Sequence, residues 1–400
     1  MSLASYLQDH TLYTAPNYSP LPIIIEKGEG SWLWDTTGKK YLDFHSAYSG
    51  TNFGHLHPKL IQAAKNQLDK LTLTSRAFLT DNLAPFCKEL AEYCDMEMVL
   101  PMNSGGEAVE TAIKLARKWG YEKKKVEQNK AEIIVFSDNF HGRTTTIISF
   151  SDSDIAHANY GPYTPGFVIV PYGDMDAVKK AINKNTVAVL VEPLQGEAGI
   201  VLPPPGFLTE LRKITKENNI LFLADEIQSG FGRTGKRFCC DHENVIPDIY
   251  IVGKSLGGGI VPISAIVGKR EVLTVFQPGT HGSTFSGNPL ACAVAREALR
   301  ILKDDGVIEH SMKLSLEIDA LLKSMVGFGV VTAVRGQGLW FGVDIDPKIG
   351  YAKKVCEKIA EKGVLCKDTR KHSIRIAPPL NIGREDLLWG VGVLIGVLVA

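Results

Sequence analysis

Two charged residues close two short apolar runs in the middle of the chain: Ile220-Leu-Phe-Leu-Ala leads into Asp225-Glu226, and Ile249-Tyr-Ile-Val-Gly leads into Lys254. Runs of this length and β-branched content read as buried strands of a parallel sheet, where ligands sit beyond the carboxyl ends of the strands. Both charges then point into one crevice. An amine there can form a Schiff base with an aldehyde, while a carboxylate keeps a pyridine nitrogen protonated so that the ring accepts carbanion electrons. Pyridoxal phosphate needs that pair. The same two residues also fit an ion pair between charges that happen to follow strands.

Other stretches supply matching chemistry. In Pro101-Met-Asn-Ser-Gly-Gly-Glu, Ser104 and Glu107 have capping-box spacing, and Gly105 and Gly106 leave backbone N–H groups bare at a positive helix end, where a phosphate would sit. An ordinary capped helix has the same pattern. Within Asn139-Phe-His-Gly-Arg-Thr144, Phe140 can stack on a ring or simply fill a core, and Arg143 offers a fork for a substrate carboxylate. Glu192 and Glu197 bring two carboxylates to the same sheet edge, although both also fit a solvated loop. The Gly- and hydroxyl-rich Thr280-His-Gly-Ser-Thr-Phe-Ser-Gly-Asn288 suits the completion of a phosphate site.

The stretches Leu223-Ala-Asp-Glu-Ile-Gln-Ser-Gly-Phe-Gly-Arg-Thr-Gly-Lys236 and Pro247-Asp-Ile-Tyr-Ile-Val-Gly-Lys-Ser-Leu-Gly-Gly-Gly259 resemble the signature of class III (ω-amino acid) aminotransferases, fold-type I pyridoxal phosphate enzymes. The resemblance runs from about Asn17 to about Pro379. It implies that Lys254 and Asp225 are catalytic and that Ser104, Gly105 and Gly106 hold the phosphate. It places Phe140, His141 and Glu192 beside the cofactor and Gln228 near its phenolic oxygen. Ser283 and Thr284 would reach the phosphate of the other subunit, so a homodimer or higher even oligomer with the site at the interface is implied. Glu197 becomes the partner of Arg375.

The segments Asn17-Tyr-Ser-Pro-Leu-Pro22, Ser46-Ala-Tyr-Ser49 and Leu71-Thr-Leu-Thr-Ser-Arg-Ala-Phe78 are similar to the ornithine-specific branch, in which Tyr18 and Tyr48 line the substrate site. The chain departs from that branch at Thr14-Ala-Pro, at Gly50-Thr-Asn-Phe53 and in its apolar C-terminus. The implied reaction is ping-pong transfer of the δ-amino group of L-ornithine to 2-oxoglutarate, giving glutamate 5-semialdehyde and glutamate. Ornithine sends its α-carboxylate outward to Tyr18 and Arg143, whereas 2-oxoglutarate needs Arg375 beside the reacting carbon. A Glu197–Arg375 pair would mask that cation until the dicarboxylate arrives. Acetylornithine, γ-aminobutyrate or lysine as substrate, or a pyridoxal phosphate protein without turnover, are the alternatives; the intact Lys254 and Asp225 speak against the last.

These residues need a scaffold of alternating strands and helices. Strand candidates at 98–100, 133–136, 168–170, 187–191, 220–224, 249–252 and 263–267 alternate with helical stretches such as 106–119, 174–183 and 206–218. The pattern predicts an α/β fold with a mostly parallel sheet. Residues 46–285 form the expected large cofactor domain. A smaller α+β domain is expected from 1–45, with a hairpin or meander around Thr37-Gly38, and 286–400, with a helix opening at Asn288-Pro289, a strand pair near 331–345 and a strand holding Ile374-Arg-Ile376.

Lys plus Arg and Asp plus Glu number 44 each, so no global field favours nucleic acid or an anionic membrane. The seven cysteines are scattered without C-x-x-C spacing, which fits reduced thiols in the cytoplasm. No targeting segment is visible at the N-terminus. The apolar run 387–400 is too short for a bilayer and reads as a helix packed on the small domain. The run 122–130 reads as a solvated helix end. The 230–236 stretch fits G-x-x-x-x-G-K, but Arg237 replaces the magnesium-binding Ser/Thr of a P-loop. His55 and His57 lack a third ligand and read as turn or core residues, so no metal is expected.

Overall fold

A computed structural model describes residues 3–399; Met1, Ser2 and Ala400, which the expected segments include, lie outside them. A seven-stranded sheet forms the centre, in the order Met98–Met102, Ser264–Gly268, Ile249–Val252, Leu221–Asp225, Thr186–Val191, Glu132–Phe136 and Phe167–Val170. Only Ser264–Gly268 is antiparallel to its neighbours; the pairings from Ile249–Val252 through Phe167–Val170 are parallel.

The three strands at the middle are buried at every position, which is why they read as continuous apolar runs rather than alternating ones. Their side chains still alternate between two cores. Val187, Leu190, Leu221, Leu223, Ile249 and Ile251 pack with the apolar face of helix Gly105–Trp119. Val189, Val191, Phe222, Ala224, Tyr250 and Val252 face the opposite way, toward Phe207, Leu208 and Leu211 of helix Phe207–Glu217. Helices therefore cover both faces, and the strand ends remain open to a ligand.

Strands Ile25–Glu29, Trp32–Asp35 and Lys40–Asp43 form an antiparallel meander. Its second turn is held by Asp35 Oδ1, which accepts the Thr37 and Lys39 N–H groups at 2.9 and 3.0 Å, with Gly38 at φ 85°. Lys40–Asp43 also pairs in parallel with Val364–Leu365, so the N- and C-terminal regions share one sheet. A third sheet joins Val331–Gly336, Phe341–Ile345, Ser373–Ile376 and Lys367–Thr369. The helix Pro289–Asp304 opens as its sequence implies, with Asn288 Oδ1 accepting the Ala291 N–H at 2.9 Å.

The C-terminal apolar run belongs to helix Arg384–Leu398, which packs on Val307–Lys323 and Ala352–Glu361 through Leu387, Val391, Leu394 and Leu398. Among the described residues no helix is long and apolar enough to cross a membrane. The run at 122–130 differs from a simple solvated helix end. Helix Gly105–Trp119 continues as a wider turn, Gly120–Lys124, and stops at Lys125 with φ 62°. Lys124 Nζ then binds the carbonyls of Thr186 and Asn218 at 2.7 and 3.1 Å. A side chain at Gly120 would strike Val187.

The 230–236 segment has an internal role. Arg233 is fully buried and donates to the carbonyls of Leu339 and Pro378 at 2.9 and 2.8 Å and to Asn52 Oδ1, pinning the loop to the C-terminal region. His55 Nε2 lies 2.9 Å from Asp43 Oδ2. No His/Cys/Asp/Glu cluster fit for a metal occurs among the described residues. The seven cysteines are free, and only Cys87 is not fully buried.

Candidate active site

Asp225 is the last residue of its strand, and Lys254 follows the neighbouring strand Ile249–Val252. The two do not form an ion pair. Asp225 Oδ2 is instead 2.6 Å from His141 Nδ1, with both side chains buried, and Oδ1 accepts the Ile227 N–H at 3.1 Å. Burial disfavours the imidazolium of His141, but the hydrogen bond and charge of Asp225 outweigh it and raise its pKa. Lys254 has φ 46°. Burial pushes its amine down to about 8 against the opposing pull of Glu197, which leaves a substantial neutral, nucleophilic fraction near neutral pH. Glu192 is buried and raised to about 7 by desolvation; its Oε1 accepts the Phe140 N–H at 2.8 Å.

The helix start beside them is built as a reciprocal cap. Ser104 Oγ accepts the Glu107 N–H at 3.2 Å, and Glu107 Oε2 accepts the N–H groups of Ser104 and Asn103 at 3.1 and 2.7 Å. Ser264 Oγ donates to the Ser104 carbonyl at 2.6 Å, tying the cap to the antiparallel strand. Gly105 and Gly106 line the same pocket as Phe140, His141, Glu192, Asp225, Gln228 and Lys254. Ile227 separates the cap from the lysine strand: a Cβ on Gly105 or Gly253 would lie 3.1 or 3.5 Å from it. Gln228 lies against Gly196, where a side chain would meet both its Oε1 and Trp340. Its Nε2 is buried and has no partner among the described residues.

Among the residues expected to meet substrate, Arg375 Nη2 donates to Glu197 Oε1 at 2.7 Å and to the Gly196 carbonyl at 3.1 Å. Burial raises the Glu197 pKa, but the charge of Arg375 and this hydrogen bond outweigh it and hold the carboxyl below its usual range. The Tyr48 ring covers the guanidinium at 5.2 Å. Thr369 Oγ1 donates to the Glu197 carbonyl at 2.8 Å. His45, pushed down to about 4 by burial, lies edge-on to Tyr48 at 4.2 Å.

The remaining candidates are more open. Arg143 is exposed, stacks over Phe140 at 5.5 Å and makes no ion pair among the described residues. Tyr18 is 71% exposed. Thr284 is exposed; Ser283 Oγ accepts from Asn103 Nδ2 at 2.7 Å. Within one chain neither Tyr18 nor Thr284 is drawn into the pocket. Sequence reasoning missed Ile227, Ser264, Thr369 and His45. Of these, only Ile227 had a signal, as an apolar residue inside the Asp225-Glu-Ile-Gln228 stretch.

Residues 13–398 match the aminotransferase class-III family, and the chain belongs to it. It is a pyridoxal phosphate-dependent transaminase. An ornithine aminotransferase from Brevibacillus brevis is 52% identical over 379 residues, 95% of this chain and 94% of that one. The ornithine aminotransferase of Toxoplasma gondii, solved with partial occupancy of pyridoxal phosphate at its active site, superposes with a TM-score of 0.97. It is 40% identical and covers 99% of this chain and 94% of its own. An acetylornithine aminotransferase from Elizabethkingia anophelis has a TM-score of 0.88 at 41% identity, covering 100% and 99%. The residues present fit the cofactor: the unpartnered Gln228 amide, the glycine amides at a helix start, a buried carboxylate and a lysine of lowered pKa converge on one pocket.

Proposed function

We propose that this enzyme transfers the δ-amino group of L-ornithine to 2-oxoglutarate, yielding glutamate 5-semialdehyde and glutamate. The observation that carries this reading is the pair of the buried Arg375 with the partly exposed Glu197 at 2.7 Å in the region of Lys254. A cation kept neutralised beside the reacting position suits an enzyme that must first orient a diamine by its far end and then accept a dicarboxylate. The relatives named ornithine aminotransferase support the same substrate.

Bound pyridoxal phosphate supplies an aldehyde that takes the amine and a ring that accepts electrons from the substrate carbon. Ser104, Gly105 and Gly106 would hold its phosphate, Phe140 its ring face and Gln228 its phenolic oxygen, with Glu192 and His141 beside it. Asp225 would hold the proton on the ring nitrogen, oriented by His141. Lys254 Nζ, its basicity lowered by burial, would accept the proton that the substrate carbon loses and pass it on to the cofactor. Tyr18 and Arg143 receive the outward carboxylate of ornithine. Arg375, released from Glu197, receives the carboxylate next to the reacting carbon of 2-oxoglutarate.

Residues 46–285 are the cofactor domain in this reading, and 1–45 with 286–400 the smaller one, since the two four-stranded sheets draw only on 25–43 and 331–376. The active form is a homodimer in the cytoplasm, with Ser283 and Thr284 reaching the partner's phosphate. The exposed Phe78, Leu79 and Phe285 and the free thiols support those two points. Single-turnover absorbance with ornithine, N-acetylornithine, lysine and γ-aminobutyrate tests the substrate. Ornithine should react fastest; a preference for N-acetylornithine, which the Elizabethkingia structure keeps in view, would reassign it.

A further inference from the structure

Four consecutive residues other than glycine, Ser46, Ala47, Tyr48 and Ser49, have φ of 47°, 45°, 57° and 72°. Ser46–Ser49 is thus one turn of left-handed helix. In that conformation Cβ crowds the following carbonyl, so L-residues normally adopt it singly. The strain is not passed to a glycine, for Gly50 immediately after has φ −74°. Asp43 anchors the entrance: its Oδ1 accepts the N–H groups of His45 and Ser46, each at 2.8 Å, and its Oδ2 meets His55. Tyr48 N–H then donates to the His45 carbonyl at 3.2 Å and Thr51 N–H to that of Ser46 at 3.1 Å. One side of the turn packs against Lys254–Gly257.

We propose that this left-handed turn, with Asp43 as its positioning residue, is retained to lock the Tyr48 ring onto Arg375 while ornithine is bound. The inference rests on the gate described above and names the device that keeps it shut. A right-handed or extended path through Ser46–Ser49 would turn the phenol ring away and uncover the guanidinium. A glycine would adopt the left-handed path without strain but would leave it as easily. Strained backbone held this way trades stability for a fixed geometry at the site.

The test uses position 47, whose side chain is exposed. Ala47→Gly loosens the turn, whereas Ala47→Asn preserves left-handed φ with less freedom than glycine. Single-turnover half-reactions of the holoenzyme with ornithine and with glutamate are compared, together with calorimetric binding of glutarate to each protein. Ala47→Gly should slow the ornithine half-reaction about five- to tenfold, change the glutamate half-reaction by less than about twofold, and tighten glutarate binding several-fold. Ala47→Asn should match the parent in all three. Equal losses in both half-reactions, or glycine and asparagine variants that behave alike, would overturn the proposal. If the parent enzyme does not react with ornithine at all, the substrate reading fails instead, and the glutarate comparison alone still decides the role of the turn.

Discussion

Arg375 and Glu197 are joined at 2.7 Å, yet the arginine side chain is 1% exposed and the glutamate 29%. The more accessible partner is therefore the carboxylate. An arriving dicarboxylate can replace it without dragging the guanidinium out of its strand Ser373–Ile376. In the proposed reaction the buried cation would exchange one carboxylate for another and so avoid being left unpaired, which would cost several kcal/mol.

Glu197→Ala should consequently leave a bare cation that draws the α-carboxylate of ornithine inward. The ratio of half-reaction efficiencies should move toward glutamate by about ten- to a hundredfold, the equivalent of roughly 1–3 kcal/mol. Arg375→Ala should damage the glutamate half-reaction far more than the ornithine one. Rapid-mixing measurement of both half-reactions checks this; a uniform loss in each variant would make the pair structural.

The amine of Lys254, lowered to about 8 from an ordinary 10.5, sets a pH dependence. Only the neutral amine attacks an aldehyde, so cofactor-stripped protein should capture pyridoxal phosphate faster as pH rises, levelling off above about 8. Lys254→Ala should keep its fold, bind the cofactor without a covalent bond and lose nearly all turnover. Borohydride reduction followed by mass analysis of the labelled peptide locates the attachment; a label elsewhere contradicts the assignment.

His141 orients Asp225 without reaching the reacting carbon itself in this reading. His141→Phe strands a buried carboxylate oxygen, and turnover should fall by about ten- to a hundredfold, less than for Asp225→Ala. Steady-state kcat, read beside cofactor content, separates this from simple loss of the cofactor.

Ser104→Ala removes the cap of helix Gly105–Trp119 and should cost about 1 kcal/mol of stability. It should also raise the dissociation constant of pyridoxal phosphate. Urea unfolding of stripped protein and equilibrium dialysis of the cofactor measure the two effects independently.

The cofactor half of this pocket was the more legible in the sequence. Leu221–Asp225 and Ile249–Val252 are buried on both faces, so their apolar runs and the charges that end them stand out directly. The Ser104 cap has a local spacing rule. The Glu197–Arg375 pair spans 178 positions, and nothing local joins those residues; only the family resemblance did. Arg233 is hydrophilic by type yet fully buried, because carbonyls from distant loops solvate it. The left-handed turn had no signature, since non-glycine residues at positive φ look like any others. His55, read as a turn or core residue, has the specific partner Asp43 for the same reason: tertiary packing chose it.

The sheet shared by the two chain ends imposes an order on assembly. Leu42 and Phe44 donate their N–H groups to Gly363 and Leu365, each at 2.8 Å, and Phe44 accepts from Ala377 at 2.7 Å. During synthesis the meander and the Tyr48 turn emerge first, then wait for partners about 320 residues later, roughly 16–65 s at ribosomal rates. The central sheet that carries Asp225 and Lys254 is complete in the nascent chain before Arg375 exists. Asp225 and Lys254, with the strands that carry them, thus leave the ribosome well ahead of Arg375, the buried half of the proposed gate.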